Sequence, residues 1–252
     1  IEVPTGAGIV AAVAAVVAIV VTIVAKDGTD ASPASVRTAT GGWVLVIGGF
    51  ALLGLLDDVV GTHEFKGFRG HLRALRSGRV TTGLVKLVGG GIVALVAVGT
   101  TCNSSLLHTV LGGAVVALGA NTANLFDRAP GRTTKVSILA LALLWLGVPE
   151  ARQLGGVGAP AMVGAAVGLL WFDLREELML GDAGANPLGA ALGFGAALTL
   201  STPVLAGVAI GLVACNLAGE RVSFSRVIAA NPVLARLDGL GRRPLEGPPH
   251  PS

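Results

Sequence analysis

Residues 42–60 read GWVLVIGGFALLGLLDDVV. From Gly42 to Leu56 no charge interrupts the run, and then Asp57 and Asp58 stand side by side ahead of Val59 and Val60. A helix crosses the hydrocarbon core of a bilayer with about 20 mainly apolar residues. The stretch therefore reads as a membrane span whose last turns carry two acids. Acids at such positions cost free energy and usually have a function. Adjacent carboxylates repel each other unless a cation or a proton lies between them. A span end that simply reaches water is the plainer explanation, but Leu55, Leu56, Val59 and Val60 flank the pair with membrane-like side chains.

The whole chain has the same character. Of its 252 residues, 52% are hydrophobic and 13% charged, and mean hydropathy is +0.77. A soluble domain usually has about 25% charged residues. So few charges cannot cover a globular surface, and the apolar content excludes intrinsic disorder. Glycine, at 38 residues with no G-X-Y period, excludes collagen and fits helices whose backbones approach closely in a membrane. The expected fold is all-α: a polytopic membrane protein with about eight spans, at 6–25, 42–60, 83–100, 104–126, 134–149, 160–173, 186–200 and 202–218. Residues 1–220 form the transmembrane domain and 221–252 a cytoplasmic tail. Cys102 and Cys215 make no CxxC and no disulfide framework. Glu2 precedes the first apolar stretch and no basic region does, so no cleavable signal peptide is read. Because the chain opens on Ile1 rather than Met, an upstream segment is expected.

The net charge of +3 does not indicate nucleic acid, because the basic residues sort by loop. Alternating spans place 61–82, 127–135, 174–185 and 219–252 on one side with fourteen Lys and Arg, against Lys26, Arg37 and Arg152 on the other. Cytoplasmic loops are the Lys- and Arg-rich ones. The basic side is therefore read as cytoplasmic, and the protein as integral to the cell membrane. Lys86 lies inside a span edge. In the loop 61–82, topology accounts for most of the charge of Lys66, Arg69, Arg73, Arg76 and Arg79, with phosphate binding as the sharper alternative.

Two further polar groups fall on that same face. NTANLFD at 121–127 closes a span with Asn121, Asn124 and Asp127, which helical steps of three align in one slanted stripe. Its structural explanation is hydrogen bonding of the Asn residues to a neighbouring helix. LGDAGANPLG at 180–189 sets Asp182 between Gly181 and Gly184, with Asn186 and Pro187 marking the start of a helix. Taken alone, Asp182 reads as an N-cap. Together the groups offer four carboxylates and two carboxamides at one membrane face, an oxygen set that suits Mg²⁺ and phosphate-bearing substrates. His63, His71, His108 and His250 are scattered, without HExxH, Walker A or GxSxG patterns.

In this order the motifs resemble those of the MraY/WecA superfamily of polyprenyl-phosphate N-acetylhexosamine-1-phosphate transferases, glycosyltransferase family 4. VPTGAGI at 3–9 is similar to that family's PTxGG stretch, LLDD at 55–58 to its Asp-Asp motif, NTANLFD to NxxNxxD, and MLGDAGANPLG at 179–189 to FMGDxGSxxLG. The similarity covers about 3–220. The resemblance implies transfer of a sugar-1-phosphate from a UDP-sugar to a membrane polyprenyl phosphate, with Mg²⁺ and release of UMP. It implies that Asp57 contacts the lipid phosphate and takes its proton, and that Asp58 helps hold metal and diphosphate. Asp182 is then the principal Mg²⁺ ligand with Asn124 nearby, and Asp127 faces the nucleotide-sugar beside Asn121. Lys66, Arg69 and Arg128 are further candidates for substrate phosphate.

The departures concern the donor. The family pattern continues NxxNxxDGxDG where this chain reads NTANLFDRAPG, so Arg128 replaces a glycine and Pro130 an aspartate. Met179 stands where the family has an aromatic residue. A late His-rich motif is absent, and the tail reads ERVSFSRVIAANPVLARLDGLGRR at 220–243. A small donor, a UDP-N-acetylhexosamine rather than a peptide-bearing one, is expected, with a donor of a different base as the alternative. The alternatives are a non-catalytic member of the fold that binds a lipid or partner, and a transporter. Acids confined to one face speak against transport. Gly164/Gly168, Gly189/Gly193 and Gly207/Gly211 fit GxxxG, a pattern that packs helices within a chain or between two copies. Homodimers are familiar in the resembled family, and the reading leans to a dimer.

Overall fold

A lipid-embedded backbone must satisfy its own N–H and C=O groups, and helices do this within one segment. Every regular element described is accordingly a helix, in spite of the many β-branched valines. The computed structural model describes residues 5–26, 33–61, 67–102, 104–147 and 157–243. Among them are eleven helices. They are α1 (Gly8–Lys26), α2 (Pro33–Val60), α3 (Gly67–Arg76), α4 (Thr82–Thr101), α5 (Leu106–Phe126), α6 (Arg132–Leu146), α7 (Gly158–Asp173), α8 (Asp182–Thr199), α9 (Thr202–Arg221), α10 (Phe224–Ala230) and α11 (Pro232–Gly239).

Among the described residues four stretches are long and apolar enough to cross a membrane: Thr38–Val60, Thr82–Thr101, Leu106–Phe126 and Thr202–Arg221. Two shorter apolar helices, Gly8–Thr22 and Gly158–Asp173, accompany them. Their outward faces carry Val10, Val13, Val17, Leu52, Leu87, Ile92 and Ile210, and that of α6 carries Leu139 and Leu143, all exposed. Contiguous exposed apolar surface of this kind belongs against lipid. The protein is a polytopic membrane protein.

Helix α8 lies at the centre. It packs on α1, α2, α5 and α7, and every residue from Ala183 to Ala191 is buried. Its small residues explain both its position and its modest hydropathy: a helix ringed by other helices needs close approach rather than lipid-facing bulk. A Cβ on Gly189 would press against the Gly119 carbonyl and Ala123, and one on Gly193 against the backbone of Val115 and Val116. Gly8 and Gly184 bring α1 and α8 together in the same way. At the far end Phe194 meets Trp43 edge to face, centroids 4.8 Å apart. There His108 donates from Nε2 to the Ala197 carbonyl at 2.9 Å, and the Thr202 hydroxyl donates to its Nδ1 at 3.0 Å. This histidine joins three helices and lies far from the acids.

Several boundaries differ from the sequence reading. The loop expected over 26–41 is helical from Pro33, a residue suited to a helix start because its missing N–H is not needed there. Helix α8 begins at Asp182, with Pro187 inside it rather than at its start. An acceptor from another helix, described below, takes the free N–H groups of its first turn. Within the expected tail, α10 and α11 lie against the bundle end. Cys102 and Cys215 are free thiols.

Candidate active site

The first N–H groups of a helix have no partner within it, and an anion is favoured at that end. Asp58, at the end of α2, meets both needs of α8. Its carboxylate accepts from the backbone N–H of Asp182 and of Ala183, each at 3.0 Å. Gly181 is the N-cap residue, with φ +63°, a conformation that favours glycine. A side chain at Gly54 would overlap the Asp182 carbonyl, so glycine there lets α2 reach α8. Asp182 is thus the first residue of its helix and is capped by Asp58; it is not itself the cap.

With Asp58 so engaged, Asp57 and Asp182 are left to face a common cation. Lys86 projects from the first turns of α4. Its Nζ lies 3.0 Å from Asp57 Oδ2 and is also ion-paired with Asp182 Oδ2. The three side chains are 19–24% exposed. Three helices therefore deliver two carboxylates and one ammonium to one point at the end of the bundle. Reading the sequence span by span set Lys86 aside as an edge residue. The signal was present in TTGLVKLVGGG, because a lone lysine in an apolar run needs a partner in the protein.

That arrangement also tests the donor set for Mg²⁺. Mg²⁺ typically takes one or two carboxylates and completes its shell with water and phosphate oxygens. Asp57 and Asp182 already converge on one cation, so the chemistry fits. Asp58 and Asn124 are not part of that convergence. Among the described residues no group of three or more His, Cys, Asp or Glu forms a metal cluster.

The NTANLFD stripe divides. Asn121 Nδ2 donates to Asn216 Oδ1 of α9, and Asn216 in turn donates to the Thr122 hydroxyl at 2.8 Å and the Leu212 carbonyl at 2.8 Å. Asn121 thus makes the helix-to-helix bond that was its structural explanation. Asn124 lies half-buried one turn on. Asp127 ends α5, its N–H bonded to the carbonyls of Ala123 and Asn124. Burial pushes its carboxyl up to about 7, the charge of Asp173 adds to this, and the Thr133 hydroxyl works against it. The more distant charges of Asp182 and Asp58 raise it further.

Beyond Asp127 lies a cleft of about 170 Å³ lined by Arg128, Ala129, Pro130, Asp173, Glu176 and Met179. The three departures noted in the sequence, Arg128, Pro130 and Met179, share this wall. Asp173 ties the two sides by accepting from the Gly131 N–H at 3.0 Å. Glu176 has φ 59°, a left-handed conformation uncommon for a side-chain-bearing residue. Next to it the Arg175 guanidinium lies 3.2 Å from the centre of the Trp171 ring.

Of the other predicted residues, Lys66 and the side chain of Arg69 lie outside the described residues. So do residues 3 and 4 of VPTGAGI. The rest of that motif is at the site: Gly6 is close to Asp58, and the Gly8 N–H donates to the Leu180 carbonyl at 3.1 Å.

Residues 40–201 match the family described as Glycosyl transferase family 4. The matched segment contains Asp57, Asp58, Lys86, Asn121, Asn124, Asp127 and Asp182, whereas Asn216, the partner of Asn121, lies beyond it. No curated protein matches the chain.

Proposed function

We propose a reaction for a chain that belongs to glycosyl transferase family 4, a family of phospho-N-acetylhexosamine-1-phosphate transferases: it moves a sugar-1-phosphate from a nucleotide-sugar, a UDP-N-acetylhexosamine, to polyprenyl phosphate. An oxygen of the lipid phosphate attacks the sugar-linked phosphorus of the donor. The bond from that phosphorus to the bridging oxygen breaks, and UMP leaves. The observation that carries the reading is the convergence of Asp57, Asp182 and Lys86 at a helix-bundle end, where a membrane lipid's phosphate can arrive from the side.

In this proposal Asp57 receives the proton of the lipid phosphate. Lys86 keeps one positive charge fixed where two anionic substrates must meet, the preorganised compensation that phosphoryl transfer needs. Asp182 and Asp57 would hold Mg²⁺, which when bound neutralises charge between the two phosphate-bearing substrates. Asp58 fixes the start of α8 and hence the position of Asp182, and it acts on metal and diphosphate through that position. Asn124, Asp127 and Arg128 face the donor, and Lys66 and Arg69 add cationic charge.

Eight spans, α1, α2 and α4–α9, alternate so that the acids share one end. The fourteen basic residues of the adjoining loops support a cytoplasmic face for that end.

The test is incubation of purified protein with Mg²⁺, polyprenyl phosphate and a panel of nucleotide-sugars, reading the lipid product by mass spectrometry. A polyprenyl diphospho-N-acetylhexosamine is expected. Turnover of UDP-N-acetylmuramoyl-pentapeptide alone would overturn the donor assignment. No product from any donor, with the protein folded, would favour the non-catalytic lipid- or partner-binding reading.

A further inference from the structure

The C-terminal segment carries an unusual concentration of charge contacts for a tail. Arg132, at the start of α6, is buried, and it holds Asp238 of α11 with both arms of its guanidinium. Nε reaches Oδ1 and Nη2 reaches Oδ2, each at 2.8 Å. Its remaining arm donates to the Ser225 hydroxyl of α10 at 2.9 Å. Arg242 adds a second cation to Asp238 at 2.7 Å and donates from Nε to the Pro130 carbonyl at 3.3 Å. Lys135 donates to the Asp238 carbonyl at 2.7 Å. The neighbouring cations hold the Asp238 carboxyl below the usual carboxylate range, the Arg132 hydrogen bonds most of all.

These contacts converge on the two loops that form the cleft. Arg242 grips the loop 127–131 at Pro130, a lining residue. The next residue, Arg243, donates its backbone N–H to the Leu174 carbonyl at 3.4 Å, at the root of the loop that carries Glu176 and Met179. Gly241, at φ +74°, turns the chain beside the Leu174 side chain. Phe224 stacks on Phe126, with ring centroids 5.1 Å apart, one residue before Asp127. Segment 224–243 is thus strapped across both cleft loops, and a bidentate arginine–carboxylate pair fixes its geometry as a lysine could not.

We infer that Asp238 is a positioning residue for the donor: through Arg132 and Arg242 it holds loops 127–131 and 174–179 at the spacing the donor requires, without touching the donor itself. The inference rests on the transferase reading above. The acceptor side, at Asp57, Lys86 and Asp182, lies on other helices and makes none of these contacts. Loss of the strap should therefore separate the two substrates.

The test compares the full-length wild type with Asp238→Asn and with Arg242→Gln, a milder change at a partly exposed arginine. Ser225→Ala, which removes one hydrogen bond and leaves the bidentate pair, is the control. Hydrogen–deuterium exchange should rise at 127–131 and 174–179 in Asp238→Asn and Arg242→Gln, with α2, α4 and α8 unchanged. The donor KM should rise on the order of 10-fold or more, the scale that small misplacements produce. The KM for polyprenyl phosphate should stay within about twofold, and Ser225→Ala should resemble wild type. Unchanged exchange in the two loops would overturn the inference. So would a parallel shift of both KM values and kcat, which is what general destabilisation produces. If Asp238→Asn does not fold, Arg242→Gln decides alone by the same measurements. A wild type inactive with every donor refutes the transferase reading instead, and the exchange data still decide whether the strap orders the loops.

Discussion

Replacing Lys86 with Met keeps most of the apolar stem and removes the charge, so it isolates what the ammonium does. In the wild type the Lys86 ammonium pairs with both Asp57 and Asp182 and offsets their mutual repulsion, all three side chains being about a fifth exposed. Removing one partner of a fully buried ion pair costs about 3–5 kcal/mol, because the remaining charge is left uncompensated. Partial access of water lowers that figure, and the loss of Lys86 should be ~2–3 kcal/mol. For a chain of this size 1 kcal/mol corresponds to about 2–4 °C, so the melting temperature should fall by roughly 4–12 °C. Thermal unfolding in detergent at neutral pH reads this directly. The double variant Lys86→Met/Asp182→Asn removes one of the opposed charges and should be more stable than the sum of its single changes by on the order of 1 kcal/mol. Mg²⁺ should raise the melting temperature of Lys86→Met more than that of wild type, since the two carboxylates are then free to take it. An Lys86→Met protein that melts with the wild type, or strictly additive losses in the double variant, would refute the reasoning.

Other changes report on neighbouring parts. Asp58→Ala leaves the N–H groups of Asp182 and Ala183 without their acceptor, and should cost about 2–4 kcal/mol in unfolding experiments, with Asp58→Asn costing less because one oxygen still accepts. Asp127, with its carboxyl near 7 in the folded protein against 3.8 unfolded, makes the folded state the better proton binder. Its contribution to stability is full below pH 3.8 and is lost as pH rises through about 7, so the melting temperature should decline across that window and Asp127→Asn should flatten the decline. Gly189→Val forces a side chain against Gly119 and Ala123 and should cost about 1–3 kcal/mol or more by parting α5 from α8, read as a lower yield of folded protein and a lower melting temperature.

Much of the site was legible because its chemistry is expensive in a membrane. Asp57, Asp58 and Asp182 stand out against leucine, valine and alanine, and the fold does bring their helices together. What was not legible is how the labour is divided among them. Asp58 and Asp182 look alike in sequence, yet one caps a helix that the other begins. That distinction depends on Gly54 letting α2 approach α8 across a large sequence separation, which no local pattern encodes. The central helix was legible as a span but misplaced at its start, because Pro187 advertises a helix N-terminus and the acceptor that permits an earlier start lies on α2. The Asn–Asn–Asp stripe divides, because Asn121 is engaged by Asn216, whose partner role needs α9 packed alongside. The contacts of residues 224–243 were not legible for a similar reason. Asp238 looks like an ordinary surface carboxylate until Arg132 and Arg242 are seen to share it.

The measurement that bears most directly on the central claim is release of nucleoside monophosphate from a UDP-N-acetylhexosamine by wild type and by Asp182→Asn, with and without polyprenyl phosphate and Mg²⁺. Asp182→Asn should remain folded, because Lys86 keeps Asp57 as its partner. The account predicts release by the wild type only when both lipid and Mg²⁺ are present, and almost none from a folded Asp182→Asn protein. Full release by Asp182→Asn, or release by the wild type that ignores the lipid, would contradict it.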